Sequence, residues 1–513
     1  MKFARGLLCG LLIAVAAAAP ALAQPAHRGT PVGLIKEIPL HGNAGGIAAG
    51  PEGNLWFTQN LPVRGGLAIG RITPAGKVTR FKQGLTTATQ PLEITAGPDG
   101  NMWFTYDPGI SSTSGGGIGR ITPAGQITLF PEPPDLHGSP FEIVAGPDGN
   151  LWFSHAAILT PTGQAIGRIT PSGEITEFFA GLSEKAAVAQ LTPGPGGVWF
   201  ADASSAPAIG RITPAGEITE FPGLRPHEFP ILYGPTPGPE GNLWFGANER
   251  TPPAVERITP SGTIERFSAG IDRRAEDVGP FAAGADGNTW FRVEKRPRGE
   301  GYAGSTAIGR ITPGGQIAEF SDCLRPMPEF AGPNFLTLGP DGNVWFTTWP
   351  SGEPARSNRT STPSIGRITP SGAITEFRLG LYPSSQPEEL VSAGGRLWFI
   401  DRETGAIGRI APPRKPPNTF LLLSAKQLPG RPVAQLRVAL PGPGKLTVRG
   451  SSILATRRAV SACGAAKIAV TAKPRLYRTL LRDGPRRVSV RVTYTPRGGT
   501  LFSQSEKLTL RAG

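Results

Sequence analysis

Cysteine is nearly missing from this chain of 513 residues: Cys9, Cys323 and Cys463 are all it has. That excludes a disulfide-built scaffold and any cysteine-rich zinc cluster. Helical periodicity is almost absent between residues 34 and 411, which excludes a helical bundle. After residue 23 no apolar run approaches the ~20 residues needed to cross a bilayer as a helix. Acid is the last scarcity, and it is local. From Arg414 to Gly513 there are 20 Lys and Arg against Asp483 and Glu506 alone. Of the 52 basic and 38 acidic residues, 32 and 36 therefore precede Arg414, so the net charge of +14 belongs to the tail.

What the chain has in abundance is glycine and proline, and they recur in step with tryptophan. Trp-Phe pairs begin at Trp56, Trp103, Trp152, Trp199, Trp244, Trp290, Trp345 and Trp398, spaced 45 to 55 residues apart. One copy runs Ile94-Thr95-Ala96, a Gly97-to-Asn101 turn, Met102-Trp103-Phe104-Thr105, a loop, Ile118-Gly119-Arg120-Ile121-Thr122, a Pro123-Ala124-Gly125 turn, and Gln126 to Phe130. Gly and Asn supply positive φ in such turns and Pro presets their entry. Four short strands repeating at this period predict one blade of a β-propeller. Eight copies predict an all-β, eight-bladed ring, with seven blades the alternative if the copy near Val255 or Phe281 is incomplete. The last copy stops after Ile407-Gly408-Arg409-Ile410, while Leu34 to Ile38 stands alone as an outer strand, so the N-terminal strand should close the ring. The tryptophans read as core. The arginine repeated in every third strand reads as a brace between blades, with Glu177, Glu220 and Glu376 as expected partners.

The ends have their own character. Lys2 and Arg5, an apolar Leu7–Ala19 and Ala21-Leu22-Ala23 predict a signal peptide over 1–23, cleaved near Ala23, and a secreted, periplasmic or envelope-associated protein. The propeller is expected over 24–411, a Pro-rich linker over 412–417, and a basic β-sandwich over 418–513, where alternation such as Val488-Ser489-Val490-Arg491-Val492 gives strands. The basic domain suits an anionic cell-envelope polymer; nucleic acid is not expected, nor is a transmembrane segment. Cys323 and Cys463 read as two separate thiols.

Within each copy the first-to-second and third-to-fourth turns are short, whereas the second-to-third loops and the connections between copies vary. Both variable sets emerge on one face, so the channel mouth on that face is the expected site for a small-molecule or peptide ligand. Glu93, Glu142 and Glu389 occupy equivalent Pro-x-Glu positions beside the channel, where they could hold Mg²⁺ or Ca²⁺. Glu388 lies next to one of them. His227 is the candidate base, with Glu228 beside it and His155 after a Trp-Phe pair as candidate ligand contacts.

The repeats Gly-Pro-Asp-Gly-Asn-Leu-Trp-Phe and Ile-Gly-Arg-Ile-Thr-Pro-x-Gly-x-Ile-Thr-Glu-Phe resemble those of the streptogramin B lyase (virginiamycin B lyase) family across residues 34–411. The resemblance implies a seven-bladed propeller, from which eight copies depart. It also implies a Mg²⁺-dependent lyase that opens a cyclic depsipeptide at its ester by elimination, with a histidine base and glutamate-held metal. The family's Pro-His-x-Ile stretch is matched here by Pro91-Leu92-Glu93-Ile94, Pro140-Phe141-Glu142-Ile143 and Pro387-Glu388-Glu389-Leu390, without histidine. The closing-blade glutamate after Trp-Phe falls near Asp401-Arg402.

Overall fold

A computed structural model describes residues 27, 28 and 31–512, apart from 62–65, 87–88, 108–115, 133–137, 158–163, 205, 225–233, 239–240, 248–252, 297–302, 322–323, 325–326, 329–332, 349–362, 383 and 462. Eight antiparallel four-stranded units follow one another around a ring. The first comprises Asn43–Ala49, Leu55–Leu61, Gly66–Ile72 and Val78–Phe81, and the second Gln90–Ala96, Met102–Asp107, Gly117–Ile121 and Ile127–Pro131. The eighth comprises Pro387–Ala393, Arg396–Asp401 and Ala406–Ile410, and Lys36–Pro39 supplies its outer strand by pairing Lys36 with Arg409 and Ile38 with Ile407. Eight blades and N-terminal closure are therefore both observed.

Each letter of the repeat has a physical task. The eight tryptophans are buried to 1% exposure or less. Trp56 stacks on Phe81 of its own outer strand at 5.6 Å, and Arg71 lies 5.5 Å from both rings. The strand-three glycine is imposed by the Phe of Trp-Phe: a Cβ on Gly119 would sit 2.1 Å from Phe104 Cζ. The arginine then reaches forward. Arg120 Nη1 donates to the Pro171 carbonyl of the next blade at 2.8 Å, Arg168 to Pro214 at 2.9 Å and Arg211 to Pro260 at 2.8 Å. Arg409 of blade eight closes the ring on Pro74 of blade one. The expected brace exists, but its acceptors are turn carbonyls and not Glu177, Glu220 or Glu376. Arg367 of blade seven has no such turn ahead of it, because the incoming strand replaces it, and contacts Asp341 instead at 3.3 Å.

The C-terminal unit is a sandwich. Leu421–Gln427, Val433–Leu440 and Gly464–Thr471 form one sheet; Phe502–Leu510, Arg486–Pro496, Gly444–Arg449 and Thr456–Val460 form the other. Leu436, Val438, Leu446, Val448, Val490 and Val492 fill the space between them. A helix unforeseen in the sequence, Pro474–Asp483, starts on its proline and stops at Gly484, whose φ of 77° favours glycine. His27–Arg28 pairs with Phe502–Leu510, so these N-terminal residues join the sandwich and not the propeller. Cys463 is disulfide-bonded, with its partner outside the described residues, which corrects the reading of separate thiols.

Candidate functional site

Inner strands line the channel of a propeller, and here they share a defect. The pairing of the first strand with the second slips at Ala44/Ile47, Pro91/Ile94, Pro140/Ile143, Ala189/Thr192, Val278/Phe281, Pro333/Leu336 and Glu388/Leu390. These seven β-bulges lie near the start of the strand, on the side of the variable loops, and push one or two residues per blade towards the axis. In blade five the inner strand is described only over Thr236–Pro237.

A hydroxyl two residues after each of several tryptophans holds the bulges. Thr58 Oγ1 accepts from Gly46 N at 2.9 Å and donates to the Leu92 carbonyl of the next blade at 2.7 Å. Thr105 repeats this with Glu93 N at 3.2 Å and the Phe141 carbonyl at 2.8 Å. The mouth is thus a ring of non-repeating residues on a rigid, hydrogen-bonded frame.

Its chemistry is one-sided. Glu389 of blade eight, Glu93 of blade two and Glu142 of blade three all stand on bulges. Glu389 adopts φ 46°, a strained value for a non-glycine residue, and its Oε2 accepts from Ile47 N of blade one at 3.1 Å. Burial, and then the charge of Glu93, lift its pKa to about 8. Glu93 is raised as well, by burial and then by Glu142; it is open to channel water. Glu142 Oε2 accepts from Leu191 N of blade four at 2.8 Å. Glu388 turns aside and pairs with Arg402 Nε at 2.6 Å.

Blade six, opposite blade two in an eight-membered ring, carries a buried ion-paired cluster. Where blades one, two, three and seven place Thr or Ser after Trp-Phe, and blades four, five and eight place Ala201, Gly246 and Ile400, it has Arg292, buried at 6% exposure. Arg292 Nε donates to the Gly279 carbonyl of the bulge at 2.8 Å, Nη1 reaches Asn334 Oδ1 of blade seven at 3.4 Å, and Nη2 pairs with Asp277. Sequence reasoning missed Arg292. The signal that could have found it is that Arg292 is the one charged residue to follow any of the eight Trp-Phe pairs.

The other candidates separate. His227 and Glu228 lie outside the described residues. His155 is not at the mouth: it is 1% exposed between blades two and three, with Nε2 2.9 Å from Glu132 Oε1 and Nδ1 2.9 Å from Glu177 Oε1. These contacts are ionic and not aligned hydrogen bonds. Burial works against the imidazolium, but the two carboxylates prevail and raise its pKa to about 9. Equivalent positions in other blades hold Gln59 with Arg80 (2.8 Å), Asp202 with Ser183 (2.7 Å) and Thr348 with Ser364 (2.6 Å). His155 is thereby one version of a polar clasp between a blade's second strand and its surroundings.

Among the described residues, Glu132, His155 and Glu177 are the one group of three such side chains whose ligand atoms gather within 4.8 Å. Glu93, Glu142 and Glu389 do not converge to that degree. Among the described residues the mouth offers no cage of the six to eight oxygens Ca²⁺ takes; one or two carboxylates with water suit Mg²⁺.

The fold and the mouth define an eight-bladed propeller with a loop-ringed channel and an appended basic sandwich. The virginiamycin B lyase family model matches residues 35–298 and 233–422, and the chain belongs to that family. No curated protein matches it. Among solved structures, it is similar to a catalytically inactive virginiamycin B lyase from Staphylococcus aureus with quinupristin. The identity is 26% over 74% of this chain and 98% of that one, with a TM-score of 0.44. A puromycin hydrolase mutant complexed with PGG is 15% identical over 72% and 61%, TM-score 0.44. A gluconolactonase from Xanthomonas campestris is 11% identical over 76% and 97%, TM-score 0.30.

Proposed function

We propose that this is an exported family member that takes a cyclic ester ligand at the loop-face mouth of its channel and opens it by elimination. Glu389 serves as the base in place of histidine. The carrying observation is the carboxyl of Glu389, fixed to the backbone of blade one and proton-holding up to about pH 8. A base works best when its pKa lies near the operating pH. Ionised Glu389 removes a proton from the carbon next to the one that bears the ester oxygen, the C–H electron pair forms the alkene, and the alkyl carbon–oxygen bond breaks with its pair leaving on the new carboxylate. Glu93 and Glu142 are the pair that would hold a hydrated Mg²⁺, which when bound makes that proton more acidic.

The test is incubation with quinupristin from pH 6 to 9, read by mass spectrometry. Elimination gives a linear product of unchanged mass, whereas hydrolysis adds one water. Turnover should rise with pH through about 8, and Glu389→Gln should abolish it. Added Mg²⁺ should move the profile to lower pH, because it offsets the Glu93 charge that raises Glu389. Loss of turnover in His227→Ala with Glu389→Gln active would transfer the role of base to His227.

A second reading follows from the charge-segregated tail: a binding propeller, without catalysis, held on an anionic envelope polymer by its C-terminal domain. An intact quinupristin pool at every pH, with or without Mg²⁺, leaves that reading alone.

A further inference from the structure

The outer face of one sandwich sheet has a feature that a merely solvated surface does not need. Arg449 and Arg491 are direct cross-strand partners, and Arg491 is in turn opposite Ser505. Like charges directly opposite destabilise a sheet. Both arginines are exposed, and neither has an ion pair or side-chain hydrogen bond among the described residues. The next row across the sheet is Thr447, Thr493 and Ser503, with Thr493 and Ser503 hydroxyls 2.8 Å apart. Ser489 opposite Lys507, and Arg487 opposite Thr509, continue the pattern. Glu506, the one acid of these strands, pairs with Val490 and so belongs to the other face. A shallow groove of about 870 Å³ runs over the arginines and hydroxyls.

We propose that this groove binds a linear anionic polysaccharide. Paired guanidinium groups receive carboxylates bidentately, and the hydroxyls of Thr447, Thr493, Ser489 and Ser505 exchange hydrogen bonds with sugar hydroxyls, while buried Ser503 holds Thr493. Charge complementarity selects the ligand: the face offers cations and hydroxyl groups with no carboxylate to compete. The hydroxyl rows favour a glycan over a lipid surface, which would meet the cations but leave the hydroxyls idle. This rests on the reading of the tail as an envelope-binding domain and gives it a location and a ligand class.

The experiment uses the full chain with polygalacturonate, neutral pullulan and phosphatidylglycerol vesicles as probes, by calorimetry and co-sedimentation at two salt concentrations. Polygalacturonate should bind and pullulan should not. Arg449→Ala with Arg491→Ala should weaken binding at least tenfold. Arg475→Ala with Arg478→Ala on the exposed helix, an equal charge change, should alter it less than threefold. Thermal melting of both double variants establishes that they are folded. Equal losses in the two variants would overturn the groove and leave diffuse attraction by the tail. Vesicle binding without polygalacturonate binding would overturn the glycan, and no binding to either would overturn the envelope reading as well, with the channel mouth unaffected.

Discussion

Replacing Glu37 with Gln should stabilise the protein at neutral and alkaline pH, and the gain should grow with pH. Glu37 lies on Lys36–Pro39, the strand that closes the ring, and faces Asp401 of the same blade. Asp401 Oδ1 accepts from the backbone N–H groups of Gln386, Glu403 and Thr404 at 2.9, 3.2 and 3.4 Å. The remaining oxygens, Glu37 Oε2 and Asp401 Oδ2, are both buried without another partner. Glu37 therefore keeps the proton, and burial followed by the Asp401 charge lifts its pKa from 4.5 to about 8. An acid with a raised folded pKa binds its proton more tightly in the native state. Its penalty is absent below the unfolded value near 4.5 and accumulates as pH rises towards about 8. At about 1.4 kcal/mol per pH unit the ceiling is about 4–5 kcal/mol; partial exposure of Glu37 brings the expectation to about 2–3 kcal/mol. Gln cannot ionise and can still donate to Asp401. Denaturant unfolding of both proteins at pH 5, 6, 7 and 8 should give curves that nearly coincide at pH 5 and diverge steadily. A difference constant with pH would refute the shared proton.

Three further expectations concern the frame. Arg120→Ala removes a charge-assisted bond to Pro171 and its contact with Trp103 and Phe130, and should cost about 2–3 kcal/mol by denaturant unfolding, more than Arg120→Lys. Glu52→Asp should stabilise by about 1 kcal/mol in a melting assay. Trp56 Nε1 is buried without a partner, whereas Asp99 reaches the equivalent Trp103 Nε1 at 3.0 Å. His155→Gln should lower stability below pH 6.5 most, because the imidazolium's contribution is complete there and fades as pH rises through about 9. A pH-independent loss would show that the ring packs without its charge.

The repeat was legible because burying one tryptophan per blade forces a periodic sequence, and the unpaired Leu34–Ile38 strand announced how the ring closes. The partners of the arginines were not legible. A turn carbonyl such as that of Pro171 carries no side-chain signature, so the visible glutamates of Thr-Glu-Phe drew the assignment. The Pro-x-Glu positions fall on bulges in the inner strands of blades two, three and eight. The bulges that orient Glu93 and Glu389, and the bonds to Ile47 and Leu191 that hold Glu389 and Glu142 apart, depend on register between blades. His155 reads from sequence as a ligand contact because one of its carboxylates, Glu132, lies beyond the outer strand of the preceding blade and is not visible as its partner.

The most direct measurement is a carbon-13 titration of glutamate-labelled protein, made in the Glu37→Gln background so that Glu37 does not contribute. A side-chain carboxyl resonance with a midpoint near 8 should appear and should vanish in Glu389→Gln. Glu93 should remain raised in that variant, because burial and Glu142 are what lift it. If no glutamate titrates above about 5 in that background, an ordinary upper value for a glutamate, Glu389 is not a proton-holding group and the proposed chemistry at the mouth is wrong.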